Sequence, residues 1–371
     1  MVAVTCGFSC PGCLIRAVGR GRRYAYGALV ALCAAAMLGG ANSVTGIFRW
    51  GRDAPEEVLL ALGITAHKRT GQIWPPSLKT LRRLLKDLDG TALDHALAAW
   101  VSMQVAVGRI TPGQVALALD GKVLRRSRDA DGTVHLFAAL LHGEALVTGQ
   151  LAIGDKTGET KAFAPLLDQL DIAGAVITAD ALHTVRAHAA YLRKRDAFYV
   201  FTVKGNTPAL FGTIDALGWE NVPLGWMTAD LGHGRDEVRT IKVLPAPPGL
   251  RFPGAAQVML IERYVTDRKT GQRSAVAVLC VTSLTADQAD PESLAALIRG
   301  HWKVEALHWL RDSATFREDA HQLKTGSARV IASLRNLAIN ALRLADEPIT
   351  AGRQWAASNY RNPLSLLGLS M

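Results

Sequence analysis

Cysteine is scarce in this chain, with five residues in 371: Cys6, Cys10, Cys13, Cys33 and Cys280. The odd number and uneven placement argue against a disulfide framework and for a reducing compartment. Cys10 and Cys13 form one CxxC pair, without the second pair of a zinc ribbon or the strand pattern of a redox fold. Acidic residues are also in short supply: 32 Asp and Glu stand against 42 Lys and Arg, a net charge of +10. Such an excess favours a polyanionic partner, either nucleic acid or an anionic membrane surface. HExxH, GxSxG and Walker-type glycine loops are absent, which argues against zincin, α/β-hydrolase and P-loop chemistry. His183 and His188 are five apart and so do not share a helix face as zinc ligands would. What the chain does have is 49% hydrophobic and 20% charged residues, enough to exclude disorder and to build two or three cooperating units.

Residues 24–48 carry no charge and follow Arg16, Arg20, Arg22 and Arg23. The length suits a membrane span, and the basic flank suits a secretory signal. Gly39, Gly40, Asn42, Ser43 and Thr45 interrupt the run, and this pattern predicts instead a buried helix over 25–38, a turn, and a second helix begun by Asn42 or Ser43. Asp53 is expected to cap a further helix with Pro55, Glu56 and Glu57 in its first turn. After Pro76-Ser77, Leu78, Leu81, Leu84, Leu85 and Leu88 make an apolar stripe while Lys79, Arg82, Arg83 and Lys86 take the other face. With 94–105 also helical, residues 1–110 read as an all-helical N-terminal region whose basic face is either solvated or set against phosphates.

Strand patterns follow. Residues 114–120 are an apolar run ending in Asp120, followed by Gly121 and the cluster Lys122, Arg125, Arg126 and Arg128. Two more strands, 134–141 and 145–153, meet at a turn at His142-Gly143. A helix over 159–170, a strand over 175–180 ending in Asp180, a helix over 184–195 and a strand over 198–203 complete a β-β-β-α-β-α-β order within 111–205. Residues 206–290 read as a β-rich insertion with strands at 258–265 and 274–282, and helices return at 291–313 and 328–346 before a short tail. The fold class is therefore α/β.

Two apolar strands each ending in Asp place Asp120 and Asp180 where ligands of α/β sheets sit. Adjacent carboxylates repel unless a cation lies between them, and oxygen ligands suit Mg²⁺ or Mn²⁺. The plainer alternative is that each Asp caps a turn. Glu305 lies among Ile298, His301, Trp302, His308 and Trp309 at helical spacing. A carboxylate buried there needs a cation or a proton; it could also pair with His301 or His308, or stand exposed at the edge of the stripe.

The blocks LALDGKVLRRS, TADALHT, FTVKGN, HGRDEVRT, HWKVEALHWLRDSATFRED and SLRNLAINALR resemble those of DDE insertion-sequence transposases of the H-repeat-associated (ISAs-one-like) branch, over nearly the whole chain. The resemblance implies an RNase H-like catalytic core interrupted by the β-rich insertion, with the helical region before it. It implies metal-dependent DNA strand cleavage and strand transfer at the terminal inverted repeats of an insertion sequence, with two divalent metal ions, Mg²⁺ or else Mn²⁺. Asp120, Asp180 and Glu305 take the three acidic positions, Asp120 bridging both ions and each of the others completing one site. Lys122, Arg125, Arg126, Lys204 and His301 are the candidate DNA contacts. Double-stranded DNA, both element ends and target, is the implied partner, bound by a homodimer in the synaptic complex, and a cytoplasmic rather than membrane or secreted location follows. The tyrosine, arginine and lysine often set around the glutamate correspond here to Ile298, His301 and Asp312. The usual glutamine and asparagine nearby are Val185 and Ala306. A transposase-derived protein that binds DNA without cutting is the alternative.

Overall fold

The computed structural model describes residues 24–106, 115–129, 132–154, 158–232, 234–320 and 327–369. The Cys10/Cys13 pair, Arg16 to Arg23, His233 and the side chains of Arg125 and Arg126 lie outside what is described.

Five helices precede the sheet among the described residues: α1 (Tyr26–Leu38), α2 (Val44–Asp53), α3 (Glu56–Ala61), α4 (Leu78–Asp87) and α5 (Gly90–Ala106). The uncharged run becomes two helices, as its interruptions require. Ten of the thirteen residues of α1 are buried, because a helix apolar on every side finds its solvent inside the protein. Ser43 caps α2, accepting from Gly46 N at 3.1 Å. No described helix is long and apolar enough to cross a membrane. One expectation is corrected: Asp53 ends α2 and pairs with Arg52, while Pro55 occupies the cap of α3. The adjacent guanidinium takes the carboxylate that would otherwise cap. Ser77 caps α4 through Thr80 N at 3.2 Å. Leu81, Leu84 and Leu85 turn inward while Lys79, Arg82, Arg83 and Lys86 are exposed.

The sheet begins with β1 (Ala116–Asp129), β2 (Gly132–Leu141) and β3 (Val147–Ile153), an antiparallel meander. After α6 (Gly158–Leu167), β4 (Val176–Ala179) runs parallel to β1. After α7 (Arg186–Lys194), β5 (Phe198–Val203) runs parallel to β4. The helix α8 (Pro208–Asp215) leads to β6 (Trp226–Gly232), β7 (Arg235–Pro245), β8 (Gln257–Asp267) and β9 (Arg273–Thr282). These four strands do not make a sheet of their own. β9 pairs antiparallel with β5, giving one nine-stranded sheet in the order β3-β2-β1-β4-β5-β9-β8-β7-β6, so the far edge of the parallel strands is covered by chain instead of left open.

The last described elements are α9 (Pro291–His301), α10 (Lys303–Trp309) with a wide π turn over Leu310–Ala314, α11 (Ser327–Leu344), α12 (Ile349–Ser358) and α13 (Arg361–Leu366). Helix α11 is buried along most of its length, and several of its polar residues bond to the sheet and to neighbouring helices. Asn340 brackets the start of β3, accepting from Val147 N at 3.0 Å and donating to Val147 O at 2.9 Å. One apolar core runs without a break from Ala28 in α1 through the sheet to Leu364 in α13. Helix α1 packs on α11, and α5 on β3.

Candidate active site

The parallel ladder between β1 and β4 ends at the pair Leu119↔Ala179. The next residues in the two strands are Asp120 and Asp180, so the register sets the two carboxylates side by side where the parallel pairing stops; neighbouring strands lie about 4.8 Å apart. Strand β1 does not end at Asp120, as the sequence suggested, but continues against β2 to Asp129. Asp180 does cap: its Oδ1 accepts from Leu182 N at 3.0 Å and opens a short 3₁₀ turn, Ala181–His183. Asp120 Oδ1 accepts from Gly121 N at 2.9 Å. The capping role and the placement side by side are therefore both present.

Burial pushes the Asp120 carboxyl up to about 7, and repulsion from Glu159, Asp180 and Glu305 adds to it against the pull of the Gly121 amide. Two of those neighbours are the acids expected beside it. His308 Nδ1 lies 3.5 Å from Asp120 Oδ2, but burial, with Arg311 and Lys122 nearby, pushes that imidazole down to about 3. It is neutral at physiological pH and so adds no positive charge beside Asp120.

Glu305 stands in the first turn of α10, exposed between the exposed rings of Trp302 and Trp309. The sequence predicted a continuous helix over 291–313. The helix instead breaks at Trp302, two residues after Gly300, where a Cβ would collide with the imidazole ring of His142. Glu305 pairs with neither histidine. His301 Nδ1 meets Thr178 Oγ1 at 3.2 Å, and His142 Nε2 meets the same hydroxyl at 2.9 Å.

The candidate DNA contacts separate. Lys204 is exposed just beyond β5. Lys122 is buried, its ammonium paired with Asp312 and, at 2.9 Å, with Glu318. The expected surface phosphate contact is thus corrected to an internal ion pair. Burial pushes His301 down to about 4, with Asp180 opposing, and its ring meets the Thr178 hydroxyl. Glu318, thirteen residues after Glu305, is buried. Burial opposes its ionisation, yet Arg311, Arg335 and Lys122 hold its carboxyl well below the usual range.

Sequence reasoning missed Glu159. Read only as the start of a helix, it opens α6 and lays its carboxylate against Gly121, with Oε1 2.9 Å from His135 Nε2 and Oε2 3.6 Å from His183 Nε2. The signal was the Asp120-Gly121 step: a glycine directly after an acid in a strand marks a close approach by another group.

Asp120, Asp180 and Glu305 are hard oxygen donors whose mutual repulsion a divalent cation would relieve, so the donor chemistry fits Mg²⁺ or Mn²⁺. Among the described residues, no three His, Cys, Asp or Glu side chains are gathered into a ready coordination shell.

A mixed α/β sheet with two acids at the end of its parallel ladder defines the class. Within it the chain belongs to the transposase DDE domain family, which matches residues 111–341, and the DDE_Tnp_1-associated family matches residues 16–101. It is 28% identical to "Putative transposase YncI" of Escherichia coli O157:H7, over 71% of this chain and 70% of that one. It is 29% identical to "H repeat-associated putative transposase YhhI" of Escherichia coli K12, over 61% of this chain and 63% of that one. The fold aligns with the piggyBac transposase of a synaptic complex with hairpin DNA at a TM-score of 0.42 and 11% identity, over 92% of this chain and 71% of that one.

Proposed function

We propose that this transposase cleaves DNA at the terminal inverted repeats of an insertion sequence and joins the freed 3′ ends to target DNA, using Asp120, Asp180 and Glu305. The observation that carries the reading is the register Leu119↔Ala179, which sets two acids from separate sequence blocks side by side. In this reading the chain's own contribution is positional: β1 and β4 set two carboxylates side by side, and Glu305 at the start of α10 is near enough to repel Asp120. Bound divalent metal would supply charge stabilisation at the phosphate and activation of the attacking oxygen. His308 and His301, held neutral by burial, would hydrogen-bond without competing for the cation.

Strands β1 to β5, with their order β3-β2-β1-β4-β5, form an RNase H-like core in this reading, and β6 to β9 are its insertion. The exposed basic face of α4 and Lys204 would meet phosphates, with a homodimer holding the two ends and a cytoplasmic location. Incubating the purified protein with linear DNA carrying its flanking repeats tests the proposal. Strand breaks at the repeat ends that require Mg²⁺ or Mn²⁺ support it. Specific binding with no cleavage under any metal would establish the non-cutting alternative.

A further inference from the structure

We propose that Glu159 is a positioning residue of this site, a fourth carboxylate that locks the Asp120 strand and the Asp180 turn together and strengthens the site's hold on a divalent cation. The inference rests on the acidic-site reading above and extends it to a residue outside the expected three.

Three observations converge on that side chain. The first is the notch at Gly121. A Cβ there would collide with all three atoms of the Glu159 carboxyl group, so the glycine beside Asp120 is the space the carboxylate fills. The second is that its partners come from different strands and turns. His135 in β2 meets Oε1 at 2.9 Å, and His183, three residues beyond Asp180, faces Oε2 at 3.6 Å. The third is the state of His183. The residue is fully buried among Phe137, Phe163 and His188, and neither ring nitrogen makes a hydrogen bond. A buried polar group without a partner is costly, and the Glu159 carboxylate stands 3.6 Å from Nε2, the ion-pair partner shown for this ring. Glu159 thus touches the residue after the first aspartate and the turn after the second. Its negative charge lies close enough to Asp120 to repel that carboxylate, so it adds to the field that a divalent cation there would feel.

The test is titration of the full-length protein with Mn²⁺ alone, read by electron paramagnetic resonance of the free ion, with melting in chelator as a fold control. Wild type should bind, and Asp120→Asn should lose most of that binding. Glu159→Gln keeps the shape and removes the charge; it should weaken Mn²⁺ binding about tenfold, on the order expected of one charge at this range. Gly121→Ala keeps the charge and displaces the carboxylate, and it should weaken binding too, which covers the case in which Glu159→Gln does not fold. Unchanged Mn²⁺ affinity in a folded Glu159→Gln or Gly121→Ala protein, with Asp120→Asn impaired, overturns the role of Glu159 alone. Equal binding by wild type and Asp120→Asn overturns the acidic-site reading itself, and this inference with it.

Discussion

Asp120 shows how a residue legible as a candidate differs from one whose state is known. Its place at the end of an apolar run marked it; the burial that raises its proton affinity, and the repulsion from Glu159 that adds to it, were not legible, because the covering groups are distant in sequence, Glu159 almost forty positions away. That burial has a thermodynamic signature. An ordinary Asp titrates near 3.9, whereas Asp120 in the fold sits at about 7, so between these values the folded state binds more protons than the unfolded one. Stability contributed by the protonated form is present at low pH and is lost as pH rises from about 4 to about 7. In chelator, thermal melts should show wild type falling relative to Asp120→Asn across that window, by about five degrees, and Mn²⁺, which wild type binds and the variant does not, should oppose that fall. Parallel pH profiles for the two proteins would contradict this. Residue chemistry also separates the two glutamates Glu305 and Glu318. Glu305 is exposed, so Glu305→Gln should leave folding stability within about 0.5 kcal/mol while abolishing cleavage. Glu318 is buried against Arg311, Arg335 and Lys122, so Glu318→Gln should cost about 3–5 kcal/mol by stranding those cations. Urea unfolding of both variants checks the contrast, and equal losses would contradict it.

At the scale of elements, the meander, the two parallel strands and the helices between them were legible because period-two runs and their turn residues are local signals. Strand β5 lies over the expected residues 198–203, and β8 and β9 flank the turn at Lys269-Thr270-Gly271, where Asp267 Oδ1 accepts from Lys269 N at 2.9 Å and Thr270 N at 2.8 Å. The break at Trp302 was not legible, and neither was the close approach of Gly300 to His142 at the far end of β2, a contact between segments distant in sequence. The same contact makes a prediction. Gly300→Ala, favourable in an isolated helix by about 1 kcal/mol, should instead destabilise the protein and lower cleavage, because the His142–Thr178–His301 chain would have to move. A melting temperature at or above wild type would overturn that expectation.

At the scale of the whole molecule, the sequence divided the chain into a helical region, a core and an insertion, but it could not show that one apolar core joins them. Shared packing depends on which faces meet, and composition does not record that. Since α1 packs on α11, deleting residues 1–110 would uncover the centre of the protein, so the role of the N-terminal region is better tested by charge than by truncation. Replacing Lys79, Arg82, Arg83 and Lys86 with Gln should leave the fold intact and flatten the salt dependence of DNA binding, by about 0.9 in the log–log slope for each phosphate no longer neutralised. An unchanged slope would remove α4 from the DNA interface.

The most direct measurement is single-turnover strand cleavage of labelled DNA carrying the element ends, by wild type and by Asp120→Asn, each with Mg²⁺ and with chelator. The variant is nearly isosteric and should bind the same DNA, so binding measured alongside isolates the chemistry. The account predicts cleavage by wild type only with metal, and a loss on the order of a hundredfold or more in the variant, as for removal of an electrostatic group at a reacting centre. Cleavage by Asp120→Asn at the wild-type rate, or by wild type in chelator, would contradict it.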